Sequence, residues 1–593
     1  MAKGSVEDIK LESRGLRGNI SGDLSDQNVT HFGEAENALL KFHGTYQQDD
    51  RDQRAARAKE KQEKAWGFMV RSKMPGGRLT AEQYLIHDRL GETLANGALR
   101  LTTRQGIQFH GVLKGGLKEV IATINHSGLT TMGACGDVVR NTMGPAAPRC
   151  DAAHLDAQRL AEEISRRFLW RSSAYADIWL DGEKMALLEN SQLSPEEEDP
   201  IYGRVYLPRK FKMAIAVAPD NDVDIFSQDL GFIPHIANDQ VAGYTIVVGG
   251  GFGMSHGQAH TQPCLAQPLG YVNREDVVAV AEAIVKTQRD FGNREDRKLA
   301  RMKYLVKNRG MDWFREQVRE RLPGVEIGPA KEVRFDSVED RMGWHEQGDG
   351  KWYVAVFVNM GRIVDVENGP AYKSAFREIA ATLSAPVIIT PNANIIFADI
   401  SPDGRAVVDA ILAKHRVPHA DGMTAARRVA HACVALPTCG LSLSESERVF
   451  PSVLDKIDVV LRDLGLENEP LLFRMTGCPN GCARPYNSDI GFVGRAPGKY
   501  AMYVGGGVAG DRLAGLQEKV VTQEEIPQKV RELLEIFVRH RHPGERFGNF
   551  WARTHGLGPS PDAEQFHVEL AQRTARLLAA GNGLSKEAAL VEG

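Results

Sequence analysis

Apolar residues recur at intervals of three and four over residues 81–94 and again over 371–383. Each stretch is followed by a short run rich in alternating apolar residues, 99–112 and 387–400. The first pattern predicts an amphipathic helix and the second a pair of strands around a turn. The two runs, LRLTTRQGIQFHGV and VIITPNANIIFADI, align without a gap, setting Thr102 on Thr390, Ile107 on Ile395 and Phe109 on Phe397. The chain therefore repeats itself.

A second, longer repeat begins at LPRKFKMAIAVAPDNDVDIFSQDLGFI and ends in YTIVVGGG at Gly251; its partner begins at LLFRMTGCPNGCARPYNSDIGFV and ends in YAMYVGGG at Gly507. Both copies have a basic strand entry, an Asp-apolar-Gly-Phe step at Asp229 and Asp489, and a last strand running into three glycines. Only the second carries cysteines in this stretch. Strands alternating with helical segments in two repeated unit types predict an α+β architecture. Two homologous halves about a pseudo-twofold axis would form one site between them, one half free to specialise. Neither glycine triplet continues into the spaced Gly-x-Gly-x-x-Gly pattern of a dinucleotide fold, so close backbone approach or a tight turn explains them better.

The first 66 residues are polar and include the charge run RDQRAARAKEKQEK at 51–64, which on composition reads as a solvated helix or a partly disordered arm. No apolar run approaches a membrane span, and the N-terminus lacks the apolar region of a secretory signal, so the expected location is cytoplasmic. A net charge of −4 gives no case for nucleic acid as a partner. Seven cysteines, an odd number, argue against a disulfide framework. Cys135, Cys150 and Cys264 read as ordinary packed thiols.

The other four are the most informative residues in the chain. Cys433 and Cys439 lie in HACVALPTCG, and Cys478 and Cys482 in TGCPNGCARP. Two thiolate pairs brought together by a long excursion can supply the four soft ligands of an iron–sulfur cube. Structural zinc fits the wider Cys433–Cys439 gap poorly, and four inert buried thiols remain the plainest alternative.

The segments TCGLSLSESER and TGCPNGCARPYNSDIGFVG, with LRLTTRQGIQFHG and YLPRKFKMA upstream, closely resemble the sirohaem-containing sulfite and nitrite reductase family. The phrase FHGTYQQDDRD at 42–52 resembles its assimilatory, NADPH-dependent branch. The resemblance implies a duplicated fold of two ferredoxin-like half-domains and two homologous α+β core domains. The expected divisions are a partner-docking arm at 1–66, half-domains at 67–134 and 334–408, a substrate and sirohaem core domain at 135–333, and a cluster-bearing core domain at 409–593. It also implies that Cys433, Cys439, Cys478 and Cys482 hold a [4Fe-4S] cluster, with Cys482 bridging to the sirohaem iron.

Sirohaem carries eight carboxylates and sulfite is a dianion, so such a site needs many fixed cations, and the planar fork of arginine suits carboxylates. By motif position, the family's sirohaem contacts fall on Arg100, Arg104, Gln108, His110, Arg209, Arg301, Lys303 and Asn480. Its substrate-binding cations fall on Arg71, Arg140, Lys210 and Lys212. On a regular strand Arg100 and Arg104 would share a face, as would Lys210 and Lys212 around Phe211. Read alone, LPRKFK is a basic surface strand and NREDRK a charged helix surface.

The resemblance implies six-electron reduction of sulfite to sulfide in sulfate assimilation and cysteine biosynthesis, with a flavoprotein (alpha) subunit as electron donor, since the chain has no flavin or nicotinamide fingerprint. A ferredoxin-dependent sulfite or nitrite reductase of the same fold is the nearest alternative. A non-catalytic iron–sulfur scaffold leaves the four substrate-site cations without a role.

Overall fold

The computed structural model describes residues 5–171, 198–572 and 574. The chain forms two compact units, the first made of Met1–Gly250, Ala266–Arg334 and Asp340–His419, the second of Gly251–Leu265, Phe335–Glu339 and Ala420–Gly593.

Both short repeats lie in the first unit, and each builds a five-stranded sheet. One sheet runs Thr45–Asp49, Trp66–Arg71, Ile107–Val112, Leu99–Leu101, Arg362–Ile363; the other runs Gly343–Glu346, Trp352–Val356, Ile395–Ile400, Val387–Ile389, Arg78–Leu79. Each sheet thus takes its last strand from the other repeat. A tight turn precedes each exchanged strand, at Pro75–Gly77 and Asn359–Gly361, and the left-handed backbone at Gly77 (φ 75°) and Gly361 (φ 72°) is glycine's natural region. The helices predicted from periodicity are Ala81–Thr93, started by a Thr80–Gln83 capping box, and Tyr372–Leu383. Phe68, Val70, Leu99, Leu101, Ile107 and Phe109 share one core with Tyr84 and Leu90 of the first helix.

The longer repeats also fold alike. In the first unit Met213–Ile215 runs parallel to Leu230–Ala237, which pairs antiparallel with Gln240–Val248 and then Gln267–Asn273. In the second unit Phe473–Thr476 runs parallel to Ile490–Ala496, followed antiparallel by Lys499–Val504 and Gly515–Thr522, with His431–Ala432 added at the parallel edge. Left-handed Asp224 and Arg484 open equivalent single turns, Ile225–Ser227 and Pro485–Asn487. The glycine triplets have a packing reason: a Cβ on Gly250 would collide with the carbonyls of Phe226 and Gln228, and one on Gly506 with those of Asn487 and Ser488.

The N-terminal stretch differs from a solvated arm. Leu16, Ile20, Phe32, Leu39, Leu40 and Phe42 are at most 2% exposed and belong to the main core of the first unit. Thr45–Asp49 is an edge strand, paired in register from Thr45 opposite Val70 to Asp49 opposite Trp66. Composition hid this because the apolar residues are spaced thinly among charges. The surface reading holds around the helix Arg54–Lys59 and over residues 21–31, neither of which has a buried residue. Among the described residues no helix is long and apolar enough to cross a membrane.

Candidate active site and cluster-binding cysteines

Antiparallel pairing in the first sheet sets Arg71 opposite Gln108, Gln108 opposite Arg100, and Arg100 opposite Arg362. Directly opposed residues point to the same face, so these four side chains form one row across four strands. With the Gln108 amide turned so that its oxygen faces Arg71, that oxygen accepts from Arg71 Nε at 3.0 Å. In that orientation the Gln108 amide nitrogen takes the position 3.3 Å from Nε2 of His110, two residues along the strand. In the second sheet the equivalent row is Ala355, Ile396, Ile388 and Arg78. That face is apolar, with Tyr353, Ala355, Ile388, Ile396 and Ala398 packed with Ala146. One half of the duplication is therefore polar where the other is closed.

Arg104 is not on the strand with Arg100. The hairpin turn begins at Thr102, whose N–H donates to Gly106 O at 3.0 Å, and this carries Arg104 out to Gln228 Oε1 at 2.6 Å. The shared-face expectation for this pair is corrected: the strand Leu99–Leu101 is too short to hold both. Phe211 likewise forms a single parallel bridge with Val139 rather than part of a longer strand. Its N–H donates to Val138 O and its carbonyl accepts from Arg140 N, at 3.1 and 2.9 Å. These bonds tie Arg140 to the segment carrying Lys210 and Lys212. Phe211 is fully buried and both lysines are half-buried, which is more enclosed than a surface strand.

Motif reading missed Tyr46. It stands on the edge strand and meets Arg140, Arg71 and Cys135; burial and then the Cys135 sulfur raise its phenol above the ordinary value. Arg71 Nη1 donates to Cys135 Sγ at 3.1 Å. Cys135, taken from the sequence as an ordinary thiol, thus sits among the expected substrate-binding arginines. Its signal was its neighbours, which no linear motif links.

Behind it lies a dense group of cations around one buried carboxylate. Asp137 receives Arg297 at 2.8 Å, Arg209 at 3.8 Å and Lys10 at 3.9 Å. Burial alone would raise the Asp137 carboxyl, but Arg297 and then Lys10 and Arg209 outweigh it and hold it below its ordinary value. Burial and then the neighbouring Arg297 bring Arg209 down to about 10, and the same two causes lower Lys41. Cations that depress one another are short of negative charge, so this group favours an anion. Arg301 is committed differently, to a buried ion pair with Asp229 at 2.8 Å. Lys303 is buried, its Nζ 4.7 Å from the Tyr304 ring centre.

In the second unit the four cysteines are free thiols. Cys433 Sγ accepts the Gly477 N–H at 3.3 Å, and Asn480 Nδ2 donates to Cys478 Sγ at 3.5 Å. Burial and then Cys482, with Cys478 and Cys439 adding to it, push the Cys433 thiol far up; burial and then Cys482 push Cys478 up to about 12. Sulfurs that oppose each other's ionisation this way fit bound iron, which stabilises the thiolates, and the N–H donors supply the hydrogen bonds such sulfurs accept. Among the described residues no three His, Cys, Asp or Glu side chains converge as a cage for a single ion. A four-iron cluster does not require one, because each thiolate meets its own iron. In the register that sets Asp229 on Asp489, Cys478 and Cys482 correspond to Ala218 and Asp222, so the first copy lacks these cysteines.

The sequence matches the family described as nitrite and sulphite reductase 4Fe-4S domain over residues 135–325 and 432–557. It matches the nitrite/sulfite reductase ferredoxin-like half domain over 60–127 and 345–415. Curated relatives include the sulfite reductase [NADPH] hemoprotein beta-components of Staphylococcus saprophyticus, 43% identical over 95% of this chain and 97% of the relative, and of Geobacillus kaustophilus, 44% identical over the same shares. Among solved structures, that of the Mycobacterium tuberculosis NirA protein shares the fold, with a TM-score of 0.73 at 23% identity over 94% of this chain and 95% of that one. The paired half-domains, the two matched 4Fe-4S segments and the relatives spanning nearly the whole chain agree: the chain belongs to the nitrite and sulphite reductase family.

Proposed function

We propose that this chain is the haemoprotein component of an assimilatory, NADPH-dependent sulfite reductase, reducing sulfite to sulfide with sirohaem and a [4Fe-4S] cluster as cofactors. The observation that carries the reading is the meeting of Arg71, Arg140 and Tyr46 at Cys135, backed by the cations around Asp137. A group of residues so rich in positive charge suits a small oxyanion and a cofactor with many carboxylates.

When bound, sirohaem supplies the iron at which the anion is reduced, and the cluster delivers electrons to it. The remaining work belongs to the chain. Cys433, Cys439, Cys478 and Cys482 would hold the cluster, and Cys482 would also serve the sirohaem. Arg100, Arg104, Gln108, His110, Arg209, Arg301, Lys303 and Asn480 hold the cofactor. Arg71 and Arg140 bind the sulfite oxygens, and Lys210 and Lys212 supply protons as S–O bonds break, since each departing oxygen must leave as water. The electron donor is a flavoprotein subunit, and the location is cytoplasmic.

The test is the absorption spectrum of the purified chain together with turnover of sulfite and of nitrite from a reduced artificial donor. Sirohaem and cluster bands with preferred sulfite turnover support the reading. A chain that lacks sirohaem, or one that reduces nitrite far better, overturns it.

A further inference from the structure

Arg362 belongs, by sequence, to the second short repeat, yet its strand completes the first sheet. The strand Arg362–Ile363 pairs with Leu99–Leu101, with Arg362 opposite Arg100 and Ile363 opposite Leu99. Ile363 is buried in the shared core, so alternation turns Arg362 to the other face, where Arg100, Gln108 and Arg71 form their row. The position one strand beyond Arg100 is thus occupied by another guanidinium.

The segment is also shaped around Arg100. Gly361 precedes Arg362 with φ 72°, and a Cβ there would collide with the Arg100 guanidinium as well as with Ala393. Arg100 donates to Leu101 O, so its end lies against the crossing strand. Two arginines side by side in a half-buried row repel each other, and anionic groups spanning both would relieve that repulsion. In the mirrored sheet the residue opposite Arg78 is Ile388, so the doubled arginine occurs only on the polar half.

We infer that Arg362 is a further binding residue for carboxylates of the tetrapyrrole, supplied in trans by the second repeat. This rests on the reading that the chain binds sirohaem.

The test is a titration of full-length apoprotein with sirohaem, followed by absorption, for the wild type, Arg362→Met and Arg362→Lys, with thermal melts of each apoprotein. Arg362→Met is expected to weaken binding about tenfold, the loss of one charge-assisted contact, and Arg362→Lys to recover part of it. The apoproteins should melt alike, and the gap between wild type and Arg362→Met should narrow as salt is raised. Wild-type affinity in Arg362→Met overturns the inference while leaving the sirohaem reading intact. So does weaker binding matched by an equally lowered melt in both variants, which would make Arg362 a structural residue. Failure of the wild type to bind sirohaem overturns both.

Discussion

Arg301 holds Asp229 with two guanidinium nitrogens, at 2.8 to 3.1 Å, and the same carboxylate accepts the backbone N–H of Lys212 at 2.9 Å. In the other copy Asp489 accepts from Leu472 N at 2.8 Å and from Gly548 N at 2.9 Å. The duplicated aspartate thus fixes the strand entry in both copies. A guanidinium grips it only in the first, the copy that carries the lysines.

Asp229→Asn should therefore destabilise the protein by about 3–5 kcal/mol, because it leaves Arg301 charged and buried without its counterion. Arg301→Lys keeps the charge but not the fork, and should cost less. Denaturant melts of both variants provide the check. Wild-type stability in Asp229→Asn would mean that the pair carries no structural weight.

Lys210→Ala and Lys212→Ala should keep the visible spectrum and the melting temperature while lowering sulfite turnover at least tenfold, since in the proposed role each removes a charge that acts on the anion rather than a core contact. Phe211 between them is the buried anchor, so Phe211→Ala should instead cost stability, about 3–5 kcal/mol. Equal turnover in the lysine variants and the wild type would reduce LPRKFK to a structural segment.

Much of this was legible in the letters because the duplication is. The alignment of Thr102 with Thr390 and of Asp229 with Asp489 recovers the sheet pairing, and the cysteine spacing anticipates the cluster family. The exchanged strands were not legible, since Arg78–Leu79 and Arg362–Ile363 are two residues each and carry no period. Tyr46 and Cys135 meet through tertiary folding from segments that share no motif. The burial of Lys10, whose Nζ donates to Leu207 O at 3.0 Å, runs against every compositional prior for lysine.

Cys433→Ser should abolish cluster assembly. Cys433 is held by the Gly477 N–H in the shared environment of the other three sulfurs, and an oxygen ligand is a poor substitute for thiolate toward iron. Iron and acid-labile sulfide per chain are the measurements. For Cys482→Ser the expected signature is different: lost coupling between the two cofactors, together with lost turnover. Full sirohaem content and turnover in Cys482→Ser would refute the bridging role.

Asp222, which stands where the second copy has Cys482, is buried. Burial first, then the Asp340 and Asp220 charges, raise its carboxyl from 3.8 to about 7. The folded state therefore binds a proton that the unfolded chain releases near 3.8. The resulting stability is full below that value and is lost at roughly 1.4 kcal/mol per pH unit as pH rises from there to the folded value near 7, above which no more is lost. Asp222→Asn retains an acceptor for the Ala146 N–H, which reaches Oδ2 at 2.8 Å in the native protein, and it does not titrate. From about pH 4.5 to 7 its stability should stay level relative to the falling wild type. Parallel pH profiles would show that Asp222 is ionised throughout.

Partner docking cannot be tested by removing residues 1–66, because that cut takes Leu16, Ile20, Phe32, Leu39, Leu40 and Phe42 from the core, strips the edge strand that carries Tyr46, and removes Lys10 and Lys41 from the cation group. Such a truncation should lose activity with every electron donor. The informative change is confined to the exposed charge run, where Lys59 and Lys61 are both exposed. Lys59→Glu with Lys61→Glu should leave the melting temperature and artificial-donor turnover unchanged. If this run docks the flavoprotein, NADPH-driven turnover through that partner should fall several-fold at low salt and recover as partner concentration or salt is raised, since the reversed charges would weaken the complex by repelling an acidic partner surface. Unchanged NADPH-driven turnover would move the docking surface elsewhere on the chain.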